Sequence, residues 1–205
     1  MTIDVSKLKG QHVYLQELRD ENIPVLKKLA KNKQIWEFTR TLLIDETYDS
    51  QFERYISVAK NPNGDGNFGS GIQKTFVIYC SSDDTIIGMT RYYGINKTHK
   101  RLDIGYTWYI PEVWGKVHNK ECKLLLLQYA FEIMQFNRVG FHVAHINIRS
   151  QKAVEKIGGQ KEGILRKHSY QPDGSIRDTV LYSIIDEEWP SVKKVLQKLV
   201  EASPV

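Results

Sequence analysis

Apolar residues recur at two periods along this chain, and the switches between them divide it into elements. Val13 and Leu15 alternate with Tyr14 and Gln16 in "HVYLQEL", which predicts a strand over residues 12–18. Ile23, Leu26, Leu29 and Ala30 then fall at helical spacing, with Asp20 as the expected N-terminal cap and Pro24 tolerable in the first turn. "DETYDSQFERYISVAKN" lines Tyr48, Phe52, Tyr55, Ile56 and Ala59 along one stripe and predicts a second helix. From Thr75 the period returns to two. "TFVIYCS", "TIIGMTRYYGI" and "KRLDIGYTWYI" are joined by short polar turns, which implies an antiparallel meander.

"NKECKLLLLQYAFEIMQF" follows as the longest helix, with Asn119 the expected cap and an apolar face that includes Leu124, Leu127, Phe131 and Met134. After it come a strand "RVGFHVAHI", a short helix "RSQKAVEKIGG" closed by Gly158, and a strand "QKEGILRKHSY". A turn "QPDGS" and a strand "IRDTVLYSII" lead to a last helix at about residues 187–201, carrying Val192, Val195, Leu196 and Leu199. The order β-α-α-β-β-β-α-β-α-β-β-α predicts an α/β (α+β) fold built on a mixed sheet, with a helix entering after the fourth strand.

Composition narrows the class. With 205 residues, 41% of them hydrophobic, the chain can bury one substantial core, so residues 1–205 are expected to form a single domain. The polar start "MTIDVSKLKG" and the lack of a long apolar run predict a cytoplasmic protein with no membrane partner. Cys80 and Cys122 are expected to be reduced thiols. A net charge of +5 would suit an acidic partner, yet the basic residues are interspersed with acids, so nucleic acid is not the expected partner. His142 and His145 fall on opposite faces of a strand, and no metal site is predicted.

Two stretches invite a phosphate-binding reading. Gly64, Gly66 and Gly69 match G-x-G-x-x-G, but a helix precedes them and a strand follows, the reverse of what a dinucleotide turn requires. A loop is the better reading there. "VWGKVHNKE" instead lies where a strand hands over to a helix, the place where unpaired N–H groups and a positive dipole end face a ligand. Gly115 permits a tight turn, and Lys116, His118 and Lys120 surround the first helical turn with proton donors.

The ordered segments "GYTWYIPEVWGKVHNKECKLLLLQYAFE", "NRVGFHV", "NIRSQKAVEKIGGQKEGILRKH" and "PDGSIRDTVLYSIIDEEWP" resemble the GNAT superfamily of acetyl-CoA-dependent N-acetyltransferases, in particular its RimJ/RimL-type branch. The resemblance implies a mostly antiparallel sheet flanked by helices, splayed between "KRLDIGYTWYI" and "RVGFHVAHI", with acetyl-CoA as co-substrate in the gap. It implies that backbone groups around Tyr106, Trp108, Tyr109 and Ile110 bind the pantetheine arm. The amides of Trp114, Gly115, Lys116, Val117, His118, Asn119 and Lys120 would hold the pyrophosphate, and Asn147 and Ser150 would lie near the arm and its sulfur. The loop departs from the family pattern by placing Val117 and His118 where small residues are common.

Such an enzyme must deprotonate an amine, stabilise an oxyanion and reprotonate a thiolate. Asp103 and Glu162 are the candidate bases, the latter favoured by the resemblance; alternation places Asp103, Thr107 and Tyr109 on one strand face, opposite Leu102, Ile104, Tyr106 and Trp108. Ser150 is the candidate acid, with helix capping as its other role, and Tyr170 and Tyr182 stand in reserve. The expected acceptor is a primary amine, on a protein N-terminus or a small molecule, and a homodimer is allowed for. A non-catalytic acyl-CoA-binding module and a ribosome-associated protein are the rival readings.

Overall fold

The computed structural model describes residues 3–39, 42, 44–63, 72–171 and 174–204. Gly64, Gly66, Gly69 and the Pro172–Asp173 part of the predicted hairpin turn lie outside the described residues. Among the described residues seven strands form one sheet in the order β1-β2-β3-β4-β5-β7-β6. They are β1 (Val13–Glu17), β2 (Ile72–Cys80), β3 (Ile86–Asn96), β4 (Arg101–Tyr109), β5 (Arg138–Ala144), β6 (Gln160–Tyr170) and β7 (Ile176–Ile185). The helices are α1 (Ile23–Leu29), α2 (Lys33–Trp36), α3 (Tyr48–Lys60), α4 (His118–Gln128), α5 (Ile148–Lys156) and α6 (Trp189–Glu201). Every neighbouring pair of strands is antiparallel except β4 and β5. The expected mixed, mostly antiparallel sheet flanked by helices is therefore the observed architecture.

Each face of the sheet carries its own apolar layer. Phe76, Tyr92, Leu102, Ile104, Phe141, Val180 and Tyr182 pack with Cys122, Leu126 and Leu127 of α4, Val154 of α5, and Trp189, Val192 and Leu196 of α6. On the opposite face Val77, Met89 and Trp108 pack with Leu26, Trp36, Phe52 and Tyr55 from α1, α2 and α3. These are the stripes the periodicity predicts, with one exception: Val195 of α6 is exposed.

Three details of the sequence reading change. Asp20 is not a cap: the Asn22 side chain accepts from the Arg19 amide, and Asp20 pairs with Lys60 on the surface. Asn119 is not a cap either, because the helix begins at His118 and Val117 holds the capping position. Ser150 does not cap α5; the Asn147 side chain does, accepting from the Ser150 amide at 3.0 Å.

The face assignment of β4 also fails, for a physical reason. Met89 pairs with Trp108 and Arg91 with Gly105, so two steps along β3 face three along β4. This is a β-bulge, and Tyr106 within it adopts φ +51°, a left-handed conformation costing ~1–2 kcal/mol for a non-glycine residue. The extra residue inverts the alternation beyond it. Tyr109 joins Leu102 and Ile104 in the α4 layer, and Trp108 packs in the opposite one.

β4 and β5 pair only at Arg101–Arg138, Leu102–Val139 and Asp103–Gly140. Beyond that point they share no ladder, so β4 backbone groups aimed at β5 have no strand partner there.

Candidate active site

At the end of β4 the chain turns through Pro111–Val113 into α4, and the loop's amides divide into two sets. The Trp114 amide bonds to Pro111, Lys116 to Val113, Val117 to Pro204 at 2.9 Å and Lys120 to Val117. The amides of Gly115, His118 and Asn119 make no such bond among the described residues. They surround the first turn of an eleven-residue helix, where unpaired donors and the dipole favour an anion. Gly115 has φ +77°, and nothing lies within 4 Å of the point a Cβ would occupy, so its role is conformational rather than steric.

The side chains that depart from the family pattern do not crowd this turn. Val117 is 0% exposed and His118 is 3% exposed, both packed inward. His118 Nε2 lies 3.9 Å from the Cys80 sulfur, and burial, reinforced by Lys116 and His12, pushes its pKa down. Lys120 folds back onto the Gly115 and Lys116 carbonyls at 3.1 and 2.9 Å, which orients those peptides. Trp114 Nε1 donates to the Tyr109 carbonyl at 2.9 Å, and the Arg149 guanidinium covers the Trp114 ring at 4.1 Å. That contact joins the start of α4 to the start of α5, so the two helices flank the same end of the β4–β5 gap.

Asp103 stands at the root of the gap, on the last paired position. Its carboxylate occupies space left by two glycines: a Cβ on Gly94 would come within 2.9 Å of Oδ2, and one on Gly140 would overlap Oδ1. It accepts no hydrogen bond among the described residues, and His142 Nε2 approaches to 3.9 Å. Burial pushes the Asp103 pKa up to about 6, against the pull of Arg101 and Arg138. Burial pushes His142 down to about 4, helped by His168, Arg177 and Arg138. With both shifts, the pair at neutral pH is an ionised carboxylate beside a neutral imidazole rather than a salt bridge.

Glu162, the other candidate base, sits behind the root of the gap. Both its oxygens engage Arg138, and Oε1 also accepts from Ser183 at 2.8 Å. The Arg138 guanidinium holds its pKa down, which makes it a weak proton acceptor. The structure thus brings Asp103, and not Glu162, to the point where the strands part. Of the candidate acids, Ser150 lies in the first turn of α5 beside the gap. Tyr170 is 78% exposed, and the Tyr182 hydroxyl is tied to Gln151 and Glu155 with its pKa pushed up to about 12 by burial.

Three residues without a predicted role meet at the bulge or its helix. Lys123, 7% exposed, reaches from α4 to donate to Thr107 Oγ1 at 3.0 Å, and Thr107 also bonds Thr90 at 2.8 Å. Arg91, 1% exposed, lies over the Tyr106 ring at 4.2 Å. Glu121 binds the amides of Gln11, His12 and Val13 and fastens α4 to the start of β1. The one sequence signal for Arg91 was a charge inside the apolar strand "TIIGMTRYYGI".

Comparison with known proteins places this geometry. The model of the acetyltransferase (GNAT) domain matches residues 12–160. The "Uncharacterized N-acetyltransferase YoaA" of Bacillus subtilis (strain 168) is 35% identical over 100 residues, 49% of this chain and 55% of its own length. The "Putative ribosomal N-acetyltransferase YdaF" of the same organism is 33% identical over 112 residues, 54% of this chain and 60% of its own length. The chain thus spans a little over half the length of these curated relatives. The crystal structure of a "putative acetyltransferase" from T. thermophilus superposes with a TM-score of 0.79 at 30% identity, covering 93% of this chain and 95% of that one. By the family model that spans most of its length and by its sheet, this chain belongs to the GNAT acetyltransferase family.

Proposed function

We propose that this protein transfers an acetyl group from acetyl-CoA to a primary amine, on a protein N-terminus or a small molecule, by direct attack within a ternary complex. One observation carries the reading. Two openings coincide at one end of the sheet: β4 and β5 stop pairing after Asp103 and Gly140, and the amides of Gly115, His118 and Asn119 stand unpaired where α4 begins.

In this reading the loop 114–120 takes the pyrophosphate through those three amides, with Lys116 adding positive charge. The stretch from Tyr106 to Ile110, beyond the last β4–β5 pair, takes the pantetheine amides and polarises the thioester carbonyl. The amine nitrogen attacks that carbon, the C–N bond forms, and the C–S bond breaks through a tetrahedral oxyanion. Asp103 removes the proton that the amine must lose. It lies three residues before the bulge, roughly 10 Å along the strand, so a chain of waters relays the proton. Ser150, positioned by the Asn147 cap at the start of α5, supplies a proton to the departing thiolate.

Finer assignments follow from the same observations. The RimJ/RimL branch is supported by the similarity to YdaF, and with it a cytoplasmic location. Two apolar layers on one sheet support a single acetyltransferase domain over residues 1–205. Ile164, Leu165, Tyr170 and Ile176, exposed on the β6–β7 hairpin, support a homodimer, which sedimentation would detect as a doubled mass. No helix among the described residues is long and apolar enough to cross a membrane.

Thiol release from acetyl-CoA across a panel of amines and N-terminal peptides tests the reading. The expected result is acceptor-dependent release that falls at least about tenfold in Asp103→Asn. Bound CoA with no turnover on any amine would favour the non-catalytic acyl-CoA-binding module instead.

A further inference from the structure

We propose that Arg91 recognises the acceptor, and that the acceptor is an amine that also carries a carboxylate. The inference rests on the acetyltransferase reading above and names the substrate class for that site.

Arg91 is a guanidinium buried to 1% exposure with two of its three nitrogens unpaired. Nη1 donates to Gln73 Oε1 at 3.1 Å, and Gln73 is itself fixed by the Val58 and Asn61 carbonyls. The guanidinium carbon lies over the rings of Tyr106 at 4.2 Å and Tyr55 at 5.8 Å. Nε and Nη2 have no hydrogen-bond partner, and no carboxylate pairs with Arg91 among the described residues. Those two N–H groups leave the same edge of the guanidinium in parallel, the fork that takes both oxygens of a carboxylate. A buried cation without a counterion is costly to keep, so the vacant fork points to an anion that arrives with the substrate.

Position agrees with this chemistry. Arg91 pairs with Gly105, next to the bulge, and Asp103 pairs with Tyr93 two residues away on the same face. The two register positions are roughly 7 Å apart along the strands. A carboxylate held at Arg91 seats the acceptor beside the bulge, where its amine meets the thioester and Asp103 draws the proton through water. Arg177, a second, partly buried guanidinium close enough to act on Tyr93 and Tyr106, makes the neighbourhood more favourable to an anion. A polyamine, or an N-terminus without an acidic group, would leave the fork unfilled.

The test is thiol release from acetyl-CoA with free amino acids, their carboxamides, the corresponding decarboxylated amines, spermidine and uncharged N-terminal peptides. Wild type, Arg91→Lys and Arg91→Met are compared, with CoA titration on each. At least one carboxylate-bearing amine is expected to exceed its carboxamide about tenfold or more in kcat/KM, because an unfilled buried donor pair penalises the analogue. Arg91→Lys, which keeps the charge and loses the fork, should erase most of that preference while CoA affinity holds. The proposal is overturned if CoA binds yet carboxamides, decarboxylated amines or polyamines serve equally well. It is also overturned if the Arg91 variants slow all acceptors alike or lose only stability, which would mark a structural arginine. Absence of CoA binding by wild type would instead remove the acetyltransferase reading itself.

Discussion

Asp103 and His142 lie within 4 Å of each other with pKa values displaced in opposite directions, and this gives each a signature. Asp103, raised from 3.8 to about 6, stabilises the fold at low pH and loses that contribution as pH rises through about 6. His142, lowered from 6.5 to about 4, contributes above its unfolded value and loses it as pH falls through about 4. The two slopes oppose each other in the wild type. Relative to it, Asp103→Asn should lose stability and His142→Gln should gain it as pH falls from about 7 to about 4, each by on the order of 2 kcal/mol. Urea midpoints across that range read the difference directly, and equal pH dependence in all three proteins would remove the assigned shifts. In turnover, kcat/KM should rise with pH through about 6 in the wild type, following Asp103 ionisation, and Asp103→Asn should lack that limb.

Two elements depend on contacts that no hydrophobic pattern announces. Glu121 lies in an apolar helix run, yet its carboxylate takes three backbone amides from the start of β1, at 2.9, 2.7 and 2.7 Å. Glu121→Gln brings an amide NH2 against those donors and should cost about 2–3 kcal/mol, measured as a fall in denaturant midpoint with unchanged slope. At the loop before α4, Gly115 holds φ +77° in open space. Gly115→Val should raise the KM for acetyl-CoA about tenfold with the acceptor KM held, because a β-branched residue resists that conformation and redirects the amides around it. A rise in the acceptor KM instead would place the loop on the other substrate.

The same elements show what the chain reveals unaided. Strand and helix order followed from periodicity because each element buries one face, and the 2.0 and 3.6 periods record it directly. The four-residue α2 leaves no such trace, because "KQIW" is too short to display a period. Face assignment in β4 failed at Tyr106, since period-two counting presumes an unbroken ladder and a bulge inserts one residue without changing composition. Caps were misplaced at Asp20 and Asn119 because neighbouring residues compete for one set of donors, a contest decided by backbone geometry. Glu162 looked equivalent to Asp103 as a carboxylate in a strand. Only the fold shows that Arg138 and Ser183 engage one, while two glycines leave a pocket for the other.

At the scale of the whole molecule, the proposed function rests on a sheet that opens. Helices on both faces supply the burial, the β4 bulge switches which face its residues take, and one parallel pair of strands ends after three residues. The helices after those two strands then start side by side, as the Arg149–Trp114 contact records. The central claim is that this opening, with the unpaired amides of Gly115, His118 and Asn119, is an acetyl-CoA site. Isothermal titration of acetyl-CoA into the folded protein tests it most directly. The account predicts saturable binding of one molecule per chain, weakened by salt and by Gly115→Val; absence of saturable binding to the folded wild-type protein would contradict it.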